Sequence, residues 1–163
     1  MKAPCPPTMA DQEGLVMLCI LISVHGHVTG RRDTLSTKSY KTSLTEVQEV
    51  EAKPPFDHRY FRNLFGPISE DVKAYVFVER FEPGAESFPH YHSPPQVEIF
   101  YGLKGTGVCE LVSTDQTFFQ RYRIEPGDSV YCPENWTHKI KNASDKEEWI
   151  VLGVVFDTQP KTG

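Results

Sequence analysis

The sequence has few cysteines, no long apolar run and no excess of positive charge. Four cysteines in 163 residues are too few for a fold held together mainly by disulfides. The longest apolar run, residues 15–24, is about half as long as a bilayer-spanning helix needs. The net charge is −5 and the basic residues form no stripe, which argues against nucleic acid as a partner. We therefore expect a mildly acidic globular protein with no stable membrane span.

The apolar run at 15–24 does have the length of the hydrophobic core of a secretory signal. A small residue at Gly26 or Gly30 would suit cleavage, so we expect residues 1–26 to be a signal peptide and the protein to be secreted. Asp11 and Glu13 stand where such signals carry positive charge, which counts against this interpretation. The alternative is a cytoplasmic protein in which the run is a buried strand or helix.

Residues 27–55 differ in composition from the later part of the chain. We expect residues 27–55 to be a flexible linker or arm, because the stretch up to about residue 45 is polar and rich in serine and threonine. Residues 46–52 suit a short helix or an edge strand, and Pro54–Pro55 interrupts the chain.

An aromatic-rich stretch, residues 56–66, comes next, and we expect it to pack its rings on the domain. His58 lies in it without other residues at ligand spacing, so we interpret it as a loop histidine.

From residue 72 onward, short runs of β-branched and aromatic residues alternate with turn signals. The first, residues 72–81, stops at Pro83–Gly84. The later segments are residues 90–92, 97–103, 106–113, 117–124, 129–132, 137–141 and 148–157. Roughly eight short strands at close spacing predict an all-β fold, either an antiparallel sandwich or a barrel. Because no internal repeat is visible, we expect one domain over residues 56–157 and a loose tail at 158–163.

Two histidine-bearing segments are the candidates for function. They contain His90, His92 and Glu98 within residues 84–105, and His138 within residues 127–142. Side chains on a strand alternate between faces, so His90 and His92 would point the same way. Three imidazoles and one carboxylate meeting inside a barrel would form a mixed nitrogen and oxygen site. Such a donor set suits iron, manganese, nickel, copper or zinc.

The two segments resemble the double motif of the cupin superfamily. The residues that fit the first motif are Gly84, His90, His92, Glu98 and Gly105, with five residues between His92 and Glu98 where the motif has three or four. Those that fit the second are Gly127, Pro133, His138 and Asn142, with Asn135 in place of a glycine. Asparagine tolerates left-handed backbone, so this replacement is mild. The resemblance covers about residues 70–156 and implies a single jelly-roll domain with an N-terminal extension.

The resemblance also implies a bound cofactor: one divalent transition metal held by His90, His92, Glu98 and His138. Histidine must be neutral to bind a metal, so affinity should fall below about pH 6. Alternation places further side chains near these ligands. The pocket candidates are Phe88, Phe100, Trp136 and Gln96. A core role is the alternative for the aromatic residues, and no catalytic acid or base stands out.

Two classes of function follow from the resemblance. The first is a metal-dependent enzyme that acts on a small organic molecule in the barrel cavity. We favour oxidoreductase chemistry of the dioxygenase or oxidase kind, and a non-redox lyase or isomerase is the alternative. The second class is a non-catalytic protein that binds a small molecule in the same cavity, because fold alone does not determine function. The superfamily commonly dimerises, so a homodimer is also allowed.

The cysteines divide between the predicted signal and the domain. Cys5 and Cys19 lie in the segment that cleavage would remove, whereas Cys109 and Cys132 lie in the domain. One disulfide would be permitted in a secreted domain. We favour two buried free thiols, because free cysteine is among the most buried residue types.

Overall fold

The computed structural model describes residues 41–55, 58–66 and 74–158. These residues form nine strands and no helix, which confirms the all-β prediction. The strands are β1 (Val50–Glu51), β2 (Arg59–Phe65), β3 (Ala74–Phe81), β4 (Gln96–Lys104), β5 (Gly107–Val112), β6 (Phe119–Ile124), β7 (Ser129–Cys132), β8 (Thr137–Asn142) and β9 (Trp149–Asp157). The predicted signal peptide, the arm up to residue 40 and the tail beyond 158 lie outside the described residues.

The strands form two antiparallel sheets. One has six strands in the order β1-β2-β3-β9-β4-β7, and the other has three in the order β6-β5-β8. A single cluster of buried side chains takes members from both sheets, including Phe81, Phe100, Leu111, Ile140 and Trp149. The domain is therefore a sandwich whose interior lies between the sheets, as the jelly-roll prediction requires.

Alternation along the strands decides which side chains enter this interior. In β5 and β9 every second residue is buried, the pattern of strands with one face on a core. Gly107 is the first residue of β5, and the Trp149 ring lies against its backbone. A Cβ at this position would come within 2.2 Å of that ring, so only glycine fits. The fully buried tryptophan thus fills the space that a side chain on β5 would otherwise occupy.

Most of the aromatic-rich stretch forms a strand, which the sequence did not indicate. Residues 59–65 form β2, which pairs with β3, and within residues 46–52 only Val50 and Glu51 form a strand. His58 is exposed, and its Nδ1 lies 3.1 Å from a Glu82 carboxylate oxygen. It therefore lies in a loop, as predicted.

Asn142 and Asn135 fix the turns on either side of β8. The Asn142 side chain donates hydrogen bonds to three backbone carbonyls, those of Phe81, Glu82 and Glu147. It thereby joins the end of β3 to the turn before β9. Asn135 has a φ of 61° and so occupies the left-handed conformation in which it replaces the motif's glycine.

The two domain cysteines are free and buried, which confirms the favoured interpretation. Cys109 on β5 and Cys132 on β7 face each other across the interior with their sulfur atoms 4.0 Å apart.

Across the three described ranges, no helix has the length and apolarity to cross a membrane.

Candidate metal centre

The four predicted ligands converge between the two sheets. Glu98 projects from β4 and His138 from β8, whereas His90 and His92 lie in the segment before β4. One ligand atom from each lies within 4.8 Å of all the others. The structure therefore brings together every side chain that the double motif picks out as a ligand.

Backbone pairing positions the segment that carries His90 and His92. His90 and His138 exchange backbone hydrogen bonds of 3.0 and 2.7 Å, which place the segment beside β8. The amide of Asn135 donates to the carbonyl of His92 at 2.8 Å. His90 is thus held to the strand that supplies the third imidazole and His92 to the turn before it, although both histidines lie outside the regular strands.

The centre is buried on three sides and partly open on the fourth. The side chains of His138, Glu98 and His92 are 0%, 4% and 5% exposed, whereas that of His90 is 17% exposed. The cluster is therefore least buried on the His90 side.

A single oxygen of Glu98 lies at the middle of the cluster. Its Oε2 lies 2.7 Å from Nε2 of His138, 3.1 Å from Nε2 of His92 and 3.9 Å from Nε2 of His90. All three imidazoles thus direct the same ring nitrogen toward one carboxylate oxygen.

The opposite ring nitrogens determine where the protons lie. Nδ1 of His138 lies 3.3 Å from the carbonyl oxygen of Trp136, and Nδ1 of His90 lies 3.2 Å from that of Phe88. A carbonyl oxygen can only accept a hydrogen bond, so Nδ1 donates in both rings. In a neutral ring, Nε2 then presents a lone pair to the carboxylate. Two lone pairs at 2.7 Å repel each other unless a proton or a metal ion lies between them.

The pKa values of the cluster agree with this geometry. Burial alone would raise the pKa of Glu98, but without a metal a proton on Nε2 of His138 and His92 can be donated to the carboxylate, and these hydrogen bonds outweigh burial and lower the pKa below its ordinary value. Burial and the neighbouring His138 lower the pKa of His90 to about 3. An ionised carboxylate beside a neutral imidazole is the protonation state that metal ligation requires.

The residues present therefore fit a divalent transition metal. Three imidazole nitrogens and one carboxylate oxygen suit iron, manganese, nickel, copper and zinc, and the donor set alone does not choose among them. The carbonyls behind His90 and His138 orient the rings, as outer partners of metal-bound histidines commonly do. The cluster could hold a metal, and its occupation in solution stays a prediction.

The pocket candidates lie at different distances from the cluster. The Phe88 ring is centred 5.0 Å from that of His90, and the Phe100 ring, in the buried core, is centred 6.0 Å from that of His138. Trp136 packs against the core, and Gln96 faces the same side of β4 as Glu98. Phe88 is thus the candidate best placed to contact a molecule that approaches His90.

The sandwich holds a second buried carboxylate that the sequence did not indicate. Glu79 on β3 is 2% exposed, and its Oε1 accepts hydrogen bonds from two guanidinium nitrogens of Arg59 on β2, one of them at 2.7 Å. Arg59 also stacks on Phe61 and Phe81. A lone glutamate in the apolar stretch of β3 is the only signal in the sequence, and its arginine lies 20 residues earlier.

Comparison with known proteins agrees with this fold and cluster. The model of the cupin domain family matches residues 77–155, a segment that contains all four candidate ligands. An auxin-binding protein of Nicotiana tabacum, T85, is 31% identical over 84 residues, which are 49% of this chain and 44% of that protein. A glucose-6-phosphate isomerase of Thermococcus litoralis is 38% identical over 58 residues, 35% of this chain and 30% of that protein. The chain thus spans less than half the length of either relative.

A solved structure shows the same fold over more of the chain. A protein described as a predicted oxalate decarboxylase from Thermotoga maritima superposes with a TM-score of 0.59 at 17% identity, covering 72% of this chain and 99% of that one. At this identity the likeness concerns the fold alone. The family model adds the sequence evidence, and together with the two sheets and the double motif it shows that residues 77–155, nearly half of the chain, are a cupin domain.

Proposed function

We propose that this protein is a metal-dependent cupin enzyme acting on a small organic molecule, with dioxygenase or oxidase chemistry favoured. The observation that carries the proposal is the convergence of three imidazoles and one carboxylate on one point, with His90 as the most exposed of the four side chains. A purely structural metal site tends to be closed on all sides, whereas a catalytic site keeps a way in.

Each ligand has a distinct place in the proposed site. His138, Glu98 and His92 form the buried base, and His90 forms the rim. A metal bound there would supply Lewis acidity or redox chemistry. Because four protein ligands do not complete an octahedral sphere, a substrate could also reach the metal.

The walls would orient the substrate and keep water away. Phe88 lies beside His90 on the open side, where its ring would pack on a molecule entering the site. Phe100 and the core behind it close the buried end. Apolar walls around a charged centre strengthen electrostatic interactions inside it, because the local dielectric constant is low.

The relatives support two alternatives. The isomerase from Thermococcus litoralis supports non-redox chemistry, as a lyase or isomerase. The tobacco auxin-binding protein supports a non-catalytic role in which the same site binds a small molecule. Neither match reaches half the length of the relative, so the relatives' activities do not transfer directly.

Oxygen uptake under defined metal loading tests the proposal. The protein would be loaded separately with iron, manganese, copper, nickel or zinc and screened against small phenols, organic acids and sugars. We expect oxygen-dependent turnover with iron, manganese or copper, lost in Glu98→Gln and retained in the control Glu79→Gln. Oxygen-independent turnover would favour the lyase or isomerase, and saturable binding without turnover would favour the binding protein. Turnover that persists in Glu98→Gln would contradict the proposal that the metal held by Glu98 and the three histidines catalyses the reaction.

We also propose that the protein is secreted, on the apolar run at 15–24 alone. Expression of the full chain in a eukaryotic secretion host tests this: we expect cleaved protein in the medium. Uncleaved protein retained in the cytosol would contradict secretion.

A further inference from the structure

Asp157, the last residue of β9, has a buried carboxylate oxygen without a partner. Its Oδ1 receives no hydrogen bond from the described part of the chain. Buried polar atoms in folded proteins nearly always have a hydrogen-bond partner, and an acceptor left unpaired destabilises the fold. A bound ligand that donates a hydrogen bond would supply the missing partner.

The Asp157 side chain lies on the face of its sheet that carries the candidate metal ligand Glu98. Alternate residues of β9 from Trp149 to Val155 are buried, and Asp157 continues that series. On the neighbouring strand β4, Gln96 lies directly opposite Asp157, and Glu98 lies opposite Val155. Asp157 and Glu98 are therefore diagonal neighbours on one face, with their Cα atoms about 7–8 Å apart.

Two hydrogen bonds hold this end of β9 beside the histidine-bearing segment. The amide and the hydroxyl of Thr158 donate to the carbonyl of Pro95 at 2.9 and 3.0 Å. Pro95 lies three residues after His92, so the segment that carries two of the candidate ligands is joined to the residue that follows Asp157. The carboxylate therefore has a defined position relative to the candidate metal centre.

We propose that Asp157 is a specificity-determining residue that binds a protonated amine of the substrate while the other end of the substrate occupies the metal centre. This inference rests on the proposed function. An ionised carboxylate can only accept hydrogen bonds, so its ligand must be a donor. The described neighbours on this face bring no positive charge, since Gln96 and Val155 are uncharged and Glu98 is acidic. A cationic donor therefore suits Asp157 better than a neutral hydroxyl, because charge-assisted hydrogen bonds are stronger.

The position of Asp157 also limits the length and the charge of the substrate. A group at the metal centre would lie beside Glu98, one diagonal step along the ladder from Asp157. The amine must therefore stand several ångströms from that group, a distance that a chain of a few carbon atoms spans. One ionised glutamate and three neutral histidines do not neutralise a divalent cation, so an anionic group such as a carboxylate suits this end. The substrate class is thus an amino acid whose amine and carboxylate are separated by a short chain.

Thermal unfolding distinguishes a binding carboxylate from a structural one. Asp115, in the turn between β5 and β6, is structural, because its Oδ1 accepts hydrogen bonds from Ser113 and from the amide and hydroxyl of Thr117. Asp115→Asn should lower Tm by roughly 2–4 °C, whereas Asp157→Asn removes no hydrogen bond from Oδ1 and should leave Tm unchanged or raise it. Both variants would be measured without metal or ligand. An equal fall in Tm in the two variants would assign Asp157 a structural role and overturn the proposal.

Ligand binding to the zinc-loaded protein tests the amine directly. Zinc has no redox chemistry, so no probe is oxidised during the titration. The probes are 5-aminopentanoate, 5-hydroxypentanoate and pentanoate, titrated by ligand-observed nuclear magnetic resonance. We expect the wild type and Asp115→Asn to bind the amino acid at least about 10-fold more tightly than pentanoate, with the hydroxy acid between them. In Asp157→Asn the three affinities should be similar, and that for pentanoate should be unchanged.

The outcomes separate this inference from the proposed function. Zinc content is measured first, and a wild type that takes up no zinc would overturn the metal centre and this inference with it. A zinc-loaded wild type that binds none of the probes, or that binds another probe as tightly as 5-aminopentanoate, would overturn the inference and leave the metal centre intact. The same preference for the amine in the wild type and in Asp157→Asn would also overturn it.

Discussion

Two carboxylates lie buried in the same sandwich and face opposite chemical situations. Glu79 is 2% exposed and Glu98 is 3% exposed. Glu79 lies against the guanidinium of Arg59, which is charged at every accessible pH. Glu98 lies against three imidazoles, which are uncharged when they act as metal ligands. Glu79 therefore has a counter-cation within the protein, whereas Glu98 needs a bound metal ion to supply one.

The difference separates a structural pair from a binding site. Arg59 and Glu79 join β2 to β3, and the arginine also stacks on two aromatic rings. Glu98 instead lies where three ring nitrogens point inward and one side is open. Burial is nearly equal in the two cases, so the partners decide the role. Four changes to these residues and their surroundings test this distinction.

The largest effect is expected from removing the fixed cation. Arg59→Met would leave Glu79 buried without its partner, and we expect the free energy of unfolding to fall by about 3–5 kcal/mol. The double variant Arg59→Met with Glu79→Leu should recover most of that loss. Arg62→Met is the matched control on the same strand, since its contact with Glu49 is 3.5 Å and partly exposed, and it should cost less than about 1 kcal/mol. Denaturant unfolding in the presence of a chelator measures all three. Similar losses of stability in Arg59→Met and Arg62→Met would contradict the assignment of Arg59 as the counter-cation that the buried Glu79 requires.

The next effect is expected from Glu98→Gln. This change removes a metal ligand, so metal affinity should fall by more than about 100-fold, beyond what loss of an outer partner causes. Without metal the same variant should be as stable as the wild type or more stable, because the amide can donate to a ring nitrogen that faces a carboxylate in the wild type. Metal titration and chelated unfolding measure the two quantities. A metal-free Glu98→Gln protein that is much less stable than the wild type would show that Glu98 is structural.

A smaller effect is expected in the dependence of stability on pH. Burial raises the pKa of Glu79 to about 7, and Arg59 offsets this only in part. A carboxyl group with a raised pKa in the folded state contributes stability at low pH and loses it as the pH rises through that value. Between pH 5 and 8 the chelated wild type should therefore lose on the order of 1–3 kcal/mol relative to Glu79→Gln. A constant difference between the two proteins across this range would contradict the raised pKa.

The smallest effect distinguishes the rim of the metal centre from its base. Without metal, His138→Ala should cost about 2 kcal/mol, because it leaves a cavity in a fully buried position. His90→Ala should cost less than about 1 kcal/mol, because that side chain is partly exposed. Thermal unfolding of the chelated variants measures the difference. Equal losses would mean that the cluster has no open side.

Local patterns in the sequence predict most of the strands, because their causes are local. The predicted strands at 97–103 and 129–132 form β4 and β7 almost unchanged, since β-branched and aromatic runs end there at glycine or proline. β2 was not predicted, because arginine, asparagine and aromatic residues follow one another in it without a clear period of two. β2 forms because it pairs with β3, and its own sequence does not predict a strand.

The ligand set is predictable for a different reason. The spacing of the histidines matches a known double motif, and the structure brings those side chains together. The partner of Glu79 cannot be found in this way, since no motif links it to Arg59 on the neighbouring strand. The position of β6 at the edge of its sheet cannot be predicted from the sequence either, because it depends on how all the other strands pair.

Metal content of the purified protein tests the central claim most directly. The full chain, the double variant His90→Ala with His138→Ala, and the control His58→Ala would be purified identically and analysed by inductively coupled plasma mass spectrometry. His58 is exposed and lies outside the cluster, so its replacement controls for the loss of a surface histidine. We predict close to one equivalent of a transition metal in the wild type and in His58→Ala, and almost none in the double variant. Equal metal in all three proteins would contradict the site.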